Sequence, residues 1–372
     1  MRVLITNTSL HPRGGSQTFV RDLARDLQSL GHTVMAYTSN LREGERLLES
    51  DVVPVTTDLA NLPVPPDIIH AQHHLEAMTA LTALPGVPAI YHCHGAVWRE
   101  CVPKHPRIYR YLAMSRTLAE RMVIESNIAP TDIEVFLNGV DPRLFPTVRQ
   151  LPEKPRRAAF YSRIYYPENT TVQAAQTAAA AAGMELDLIG ERLGNYIYDP
   201  EVVLPTYDVV FASGRSAIEA LACGCAVIIL GRTSCGAMVT PENFDRFREV
   251  NFSIAVNSPP PVAEDILREL QRYSPTRSAE VTGRLRIEAD CRASIQTLVK
   301  IYQQVIAQHA AREPDHREEV VAISRYLQRL VPVIKMTDEV QIQEGLPASK
   351  ASAVLDLQAQ LTLVMEQFGK GR

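Results

Sequence analysis

Nowhere does the 372-residue sequence approach the ~20 consecutive apolar residues of a membrane-spanning helix. Its opening residues, MRVLIT, read as a strand rather than a signal peptide. No arginine-rich or aromatic-interleaved stretch is present, and a net charge of −4 offers no field for nucleic acid. The six cysteines follow no framework spacing and read as reduced thiols. Cys223-x-Cys225 falls at a helix-to-strand turn and is too tight for a redox pair. No G-x-G-x-x-G follows either opening strand, which argues against a nicotinamide dehydrogenase. The expectation left is a soluble cytosolic protein of bacterial type, without nucleic acid as a partner.

What is there is ordinary in amount and informative in pattern. An apolar fraction of 46% and a charged fraction of 22% suit a globular chain long enough for two domains. Short apolar runs at 1–6, 33–38, 52–55, 67–70, 87–92, 111–114 and 133–137 read as strands. Helical patterns fall between them: Phe19, Val20, Leu23, Ala24 and Leu27 after Ser16 as a cap, then 76–84, then 115–126. This alternation predicts a doubly wound parallel sheet over residues 1–145. The proline-rich segment 146–156 reads as a linker. The pattern then restarts with strands at 158–162, 185–189, 209–211 and 226–229 and a helix at 169–182. A second Rossmann-like α/β domain is therefore expected over 157–312, facing the first across a cleft. Helices are expected at 262–273 and 280–308. A helical extension, 313–372, carries amphipathic patterns at 316–334 and 349–368. These last helices either pack on their own domain or form a hairpin that makes a homo-oligomer or docks a protein partner.

The stretch Asp208–Leu230 is the most pointed. A strand, a glycine turn, a helix and a second strand make a parallel crossover, and anions bind where such a helix begins. Ser213, Gly214, Arg215 and Ser216 stand there, with Glu219 one turn in. Two readings need no ligand: a capping box between Ser216 and Glu219, or an i,i+4 ion pair between Arg215 and Glu219. The histidines 70, 73, 74, 92 and 94 are dense, but they lack regular ligand spacing and a carboxylate pair, so no metal is expected. Gly14-Gly15, after the first strand, would make a phosphate- or acceptor-facing loop. Trp98 and Arg99 line the acceptor side or sit in a surface loop. The basic residues Arg99, Lys104, Arg107 and Arg110 form either a membrane-facing patch or a solvated face.

Several segments resemble glycosyltransferases of the two-Rossmann (GT-B) type, particularly glycosyltransferase family 4. They are GGSQTFVRDLARDLQSLGHTV, then Asn138-Gly139-Val140-Asp141, then Ser162-Arg163-Ile164, then IEALACGCAVI. They occur in the family's order and cover about residues 1–310. The resemblance implies a nucleoside diphosphate sugar as co-substrate, held by the second domain. It implies a glycan, lipid-linked or small-molecule acceptor on the first domain, and neither cofactor nor metal. It assigns Glu219 to the ribose, Arg163 to the leaving diphosphate, and His94 to the donor sugar. Gly15, Asn138, Gly190 and Ser213 to Ser216 complete the donor and phosphate set. The reaction it implies is hexose transfer, generally retaining, in the cytoplasm or at the inner face of the membrane. Two departures stand out. Phe211 occupies the place of the first glutamate in the family's E-x7-E, and the lysine that partners the arginine falls on Glu168 or Asn169. Arg215 is expected to supply the missing charge. A catalytically weak glycan-binding or scaffolding subunit, and a nucleotide-sugar epimerase, remain as alternatives.

Overall fold

The computed structural model describes residues 1–10, 15–39, 53–231, 234–253, 260–312 and 315–343, the last eight by backbone alone. The first domain runs β1 (Arg2–Thr6), α1 (Gly15–Ser29), β2 (Thr33–Tyr37), β3 (Val55–Thr56), β4 (Ile68–Ala71), α2 (His74–Ala83), β5 (Ala89–Cys93), β6 (Ile108–Ala113), α3 (Arg116–Ser126) and β7 (Ile133–Val135). Its sheet has the order β3-β2-β1-β4-β5-β6-β7, and every pairing is parallel. Every residue of β4 and β5 is buried, as parallel strands covered on both faces must be. Local chemistry sets the boundaries. Ser115 caps α3 by accepting from the Leu118 N–H, and Asn127 ends it in the left-handed region at φ 48°. Ser16, expected as a cap, instead lies inside α1, which begins at Gly15.

The second domain runs β8 (Arg157–Tyr161), α4 (Thr170–Ala181), β9 (Glu185–Ile189), α5 (Pro200–Val203), β10 (Val209–Ala212), α6 (Arg215–Ala222), β11 (Ala226–Leu230), β12 (Cys235–Met238), α7 (Phe244–Glu249), α8 (Ala263–Leu270) and α9 (Pro275–Glu288). Its sheet order is β12-β11-β10-β8-β9, with β12 the antiparallel edge. Two doubly wound sheets thus stand in one chain.

The linker is pinned rather than loose. Arg149 N–H donates to the Cys223 carbonyl at 2.7 Å, and its guanidinium reaches the buried Asp208 at 2.9 Å. A side chain at Gly224 (φ 90°) would meet the Arg149 backbone at 2.7 Å, so the close approach requires glycine. The 280–308 pattern, expected as one helix, breaks at Ala289–Asp290. Asp290 caps α10 (Cys291–Ala311), and this break pairs with Val140 of the Asn138–Asp141 turn. A Cβ at Gly139 would strike the Ala289 carbonyl at 2.7 Å. The chain thereby returns to the first domain. Ile295, Leu298, Ile301, Tyr302 and Val305 of α10 pack among Val3, Phe19, Ile68 and Ile90, although the expected boundary at 312 grouped them with the second domain.

Helix α11 (His316–Gln343) also lies on the first domain, where Ile323 and Tyr326 pack against the core that covers β4 and β5. The pattern at 349–368 lies outside the described residues. Arg107 anchors this arrangement. It is 1% exposed, donates to the carbonyls of Leu81, Leu84 and Val87, and pairs with Glu319 of α11 at 3.0 Å. Arg107 is therefore no part of a basic surface patch, and Arg110 faces Glu134 at 3.9 Å instead. Arg107→Ala is expected to cost about 3–5 kcal/mol, because it strands Glu319 and three carbonyls. That predicts a fall in Tm on the order of 10 °C and release of α11, read by calorimetry and by proteolysis near residue 315.

Candidate active site

Ligands bind open α/β sheets beyond the C-terminal strand ends, at the point where strand order reverses. In the second sheet that point lies between β8 and β10. Ser162 and Arg163 follow β8, and Ser213 and Gly214 follow β10. Arg163 and Glu219 come together here around Tyr161. The Tyr161 hydroxyl donates to Glu219 Oε2 at 2.8 Å. Burial works against the Arg163 cation, but Tyr161 and Glu219 outweigh it and hold its pKa above the usual value. Burial pushes the Tyr161 phenol well above its usual range, and the Glu219 carboxylate adds to that push. Arg163 Nη1 is out of contact with solvent and has no hydrogen-bond partner. Gly190, with φ 155°, presses against the same turn: a Cβ there would overlap the Ser162 carbonyl at 1.7 Å. Its role in the structure is this close backbone approach, which sets the path of the Ser162–Arg163 loop.

Arg215 takes a different part from the one expected. Its Nε donates to Glu219 Oε1 at 2.9 Å, and Nη2 pairs with Asp22 of α1, in the other domain. Burial would lower its pKa, but these two carboxylates reverse the effect and keep it charged. The guanidinium is thus occupied on both sides and bridges the cleft. The i,i+4 pair is the geometry present. The capping box is not, because α6 begins at Arg215 with Gly214 as its cap and no side-chain cap bond. Phe211 is 0% exposed within β10, in register with Phe160 and Ile228. Position 211 therefore belongs to the strand core. Only Ser213 and Gly214 connect β10 to α6, so the loop has no room for the family's first glutamate.

In the first sheet the reversal lies between β1 and β4. Thr6 Oγ1 bonds the Gln72 carbonyl at 2.8 Å, and Asn7 Nδ2 bonds Gln72 Oε1 at 3.1 Å. Beside them His73 sits at φ 56°, a costly conformation for a non-glycine residue. Its Nδ1 accepts from the Thr8 N–H at 3.0 Å, which leaves Nε2–H for Glu100 Oε1 at 3.1 Å. Glu100 Oε2 in turn accepts from the His94 N–H at 2.9 Å. Burial raises the pKa of Glu100, but the hydrogen bonds from His73 and the His94 N–H work against it, and the net value is lowered. Sequence reasoning missed this His73–Glu100 pair because the partners are 27 positions apart on different loops, with no motif linking them.

His94 follows β5, as expected. Burial pushes its imidazole down to about 4, so it is neutral at pH 7, and its Nε2 has no partner. Its ring stacks on His92 at 4.3 Å and meets the edge of Phe19 at 4.8 Å. His92 Nδ1 lies 3.2 Å from His70 Nε2, and His70 Nδ1 lies 2.5 Å from the Tyr302 hydroxyl. Among the described residues no group of three His, Cys, Asp or Glu is placed to hold a metal ion. Asn138 is engaged between the domains: its N–H donates to Asn251 Oδ1 at 3.1 Å and its carbonyl accepts from Arg248 at 2.6 Å. Both bonds use its backbone and tie the Asn138 turn to the second domain. Gly15 is the exposed first residue of α1, whereas Gly14 lies outside the described residues.

Comparison with solved structures settles the architecture. A glycosyltransferase from Rickettsia africae superposes with a TM-score of 0.59 at 13% identity, over 82% of this chain and 98% of that one. A sucrose-phosphate synthase from Thermosynechococcus elongatus gives 0.57 at 13% identity, over 82% and 99%. WaaG, a glycosyltransferase involved in lipopolysaccharide biosynthesis, gives 0.53 at 13% identity, over 82% and 99%. The chain has the GT-B fold. Within this GT-B chain, residues 50–144 match the sequence family described as Glycosyltransferase Family 4. No curated protein matches the sequence. No described helix is long and apolar enough to cross a membrane.

Proposed function

We propose that this GT-B chain transfers a hexose from a nucleoside diphosphate sugar to an acceptor hydroxyl, without a metal ion. The observation that carries the reading is Arg163. Its guanidinium lies at the strand-order reversal of the second sheet, kept charged by Tyr161 and Glu219, and its buried Nη1 is unpartnered. A leaving diphosphate gains about one negative charge as the sugar bond breaks, and preorganised donors aimed at that charge lower the barrier. Ser213, Gly214 and Ser216 offer the start of α6 to the same phosphates. Glu219 is proposed to meet the ribose, which requires it to loosen from Tyr161 or Arg215 as the donor enters. Neutral His94 is proposed to reach the sugar from the acceptor side, where its free nitrogen can hold one hydrogen bond to a hydroxyl. Retention of anomeric configuration belongs to the same proposal. With no glutamate in the β10–α6 loop, the sugar is read by other groups.

One observation favours a second reading, a nucleotide-binding subunit without turnover: Arg215 is already neutralised by Asp22 and Glu219 across the cleft. Incubation with a panel of nucleoside diphosphate sugars separates the two. Release of nucleoside diphosphate, faster with acceptor present, is expected. Saturable nucleotide binding with no release from any donor would establish the subunit instead.

A further inference from the structure

A cavity of about 1010 Å3 lies between the loop after His94, helix α3 and helix α11. Much of its wall is apolar, with Val97, Trp98, Met122, Leu330 and Val333 contributing. It also holds one polar atom in need of a partner. His74, 4% exposed, lines the cavity, meets the Trp98 ring edge-on at 4.6 Å and bonds the Tyr326 hydroxyl through Nδ1 at 2.8 Å, while its Nε2 has no hydrogen-bond partner. In either tautomer Nε2 is a buried polar atom without a hydrogen-bond partner: a donor if Nδ1 accepts from Tyr326, an acceptor if Nδ1 donates to it. Buried polar atoms are so regularly satisfied that an orphan calls for an explanation, and a ligand oxygen supplies one.

The charge at this cavity is one-sided. Arg121 is engaged by Glu125 through two bonds of 2.7 and 2.8 Å. Glu100 is engaged by His73 and the His94 N–H. Arg325 and Arg329, by contrast, make no ion pair among the described residues, and Lys104 donates only to the Asn127 carbonyl. An apolar interior with unneutralised cations beside it complements a hydrocarbon chain that ends in an anion. The volume is at the top of the ~300–1,000 Å3 range of pockets that bury one elongated small molecule. A protein partner would need about 800 Å2 of surface on each side instead. One wall, residues 95–103, is the chain immediately after His94, which sets the cavity on the acceptor side.

We propose that this cavity receives the hydrocarbon chain of the acceptor, a single-chain amphiphile bearing a phosphate that Arg325 and Arg329 hold. The proposal rests on the transferase reading only for the word acceptor; the binding itself is independent of it. Trp98 is the chain's one tryptophan, so its fluorescence reports the cavity directly. The test titrates the full chain with 12-bromododecyl phosphate below its micelle concentration. Saturable quenching of Trp98 is expected. Two methylenes fewer should weaken binding about fifteenfold, since each buried methylene is worth about fourfold. Replacing the phosphate by a hydroxyl should weaken it about tenfold or more, and the Arg325→Gln, Arg329→Gln pair should erase that difference. Ala322→Phe, which fills the cavity, should reduce affinity at least tenfold. Ala96→Phe, on the exposed loop, gives the same reading if the helix variant fails to fold.

Non-saturable quenching, indifference to chain length, or full binding by both filled variants would overturn the proposal. So would a stable dimer in solution with Trp98 shielded from the probe. A protein that glycosylates a water-soluble acceptor but ignores the probe would refute this inference and leave the transferase standing. One that binds the probe but turns over no nucleotide sugar would support this inference and refute the transferase.

Discussion

Acidification from pH 7 to pH 5 is expected to unfold the first domain. Four of its enclosed histidines have a lowered pKa: His70 and His92 at 0% exposure, His74 at 4% and His105 at 5%. Burial pushes His70 down to about 3, and His74 and His105 to about 4; His92 is driven well below its usual value by burial and by His94 and His70. Their native pKa values are lowered, so between about pH 6.5 and 4 the unfolded chain binds more protons than the folded one. Stability therefore rises with pH through that window and is lost as pH falls from 6.5. At pH 5.5 each such histidine costs about 1.4 kcal/mol, and the four together about 5–6 kcal/mol. A domain has only about 5–15 kcal/mol to lose. Geometry supports the sign. His105 Nδ1 accepts the Arg107 N–H at 3.2 Å, so protonating it breaks a bond as well as burying a charge, and the facing nitrogens of His70 and His92 cannot both carry a proton without losing their bond. Trp98 fluorescence followed from pH 7 to 4 checks this, with a cooperative transition expected between about pH 6 and 5. A fluorescence and near-ultraviolet spectrum unchanged to pH 4.5 would contradict it.

Arg163→Ala is expected to lower kcat for sugar transfer by about two to three orders of magnitude, the loss typical of removing one preorganised donor to developing charge. Nucleotide affinity should fall much less, because the ground-state diphosphate is also met by the start of α6. Folding should be nearly unaffected: Glu219 keeps its bonds to Tyr161 and Arg215, so no buried carboxylate is stranded. Arg163→Lys should recover part of the rate, a point charge without the guanidinium fork. Steady-state kinetics on the most active donor of the panel, with Tm measured in parallel, distinguish this from a structural role. A variant that loses Tm and kcat together, or neither, would remove Arg163 from the mechanism.

Much of the architecture was legible before any coordinates. Strand and helix signals at 1–6, 158–162, 185–189 and 226–229 depend on apolar periodicity and on glycines such as Gly224, both properties of a few adjacent residues. The four family-like segments placed Arg163 and Glu219 in one site, and the fold brings them together around Tyr161. Fine boundaries were less readable. Ser16 and Ser216 both suit a helix cap by residue type, yet each lies within a helix: α1 begins at Gly15, and α6 begins at Arg215 with Gly214 as its cap.

Partnership between distant positions could not be read from local pattern. Arg215 read either as a cation for the diphosphate or as the i,i+4 partner of Glu219, and neither reading included Asp22, 193 positions away in the other domain. His70 gave no sign of Tyr302, 232 positions on, since nothing local announces that α10 returns to the first sheet. Phe211 looked like a substituted site residue, and only the register with Phe160 and Ile228 shows that it is core. The sequence by itself determined the two doubly wound domains, their linker and the turns at which a donor could sit, because periodicity and backbone freedom are local. The tertiary structure alone decided which charges are already spent, which histidines are buried neutral, and that α11 roofs a cavity beside His94. Each of those depends on what faces a side chain across space, and chain order does not encode that at short range.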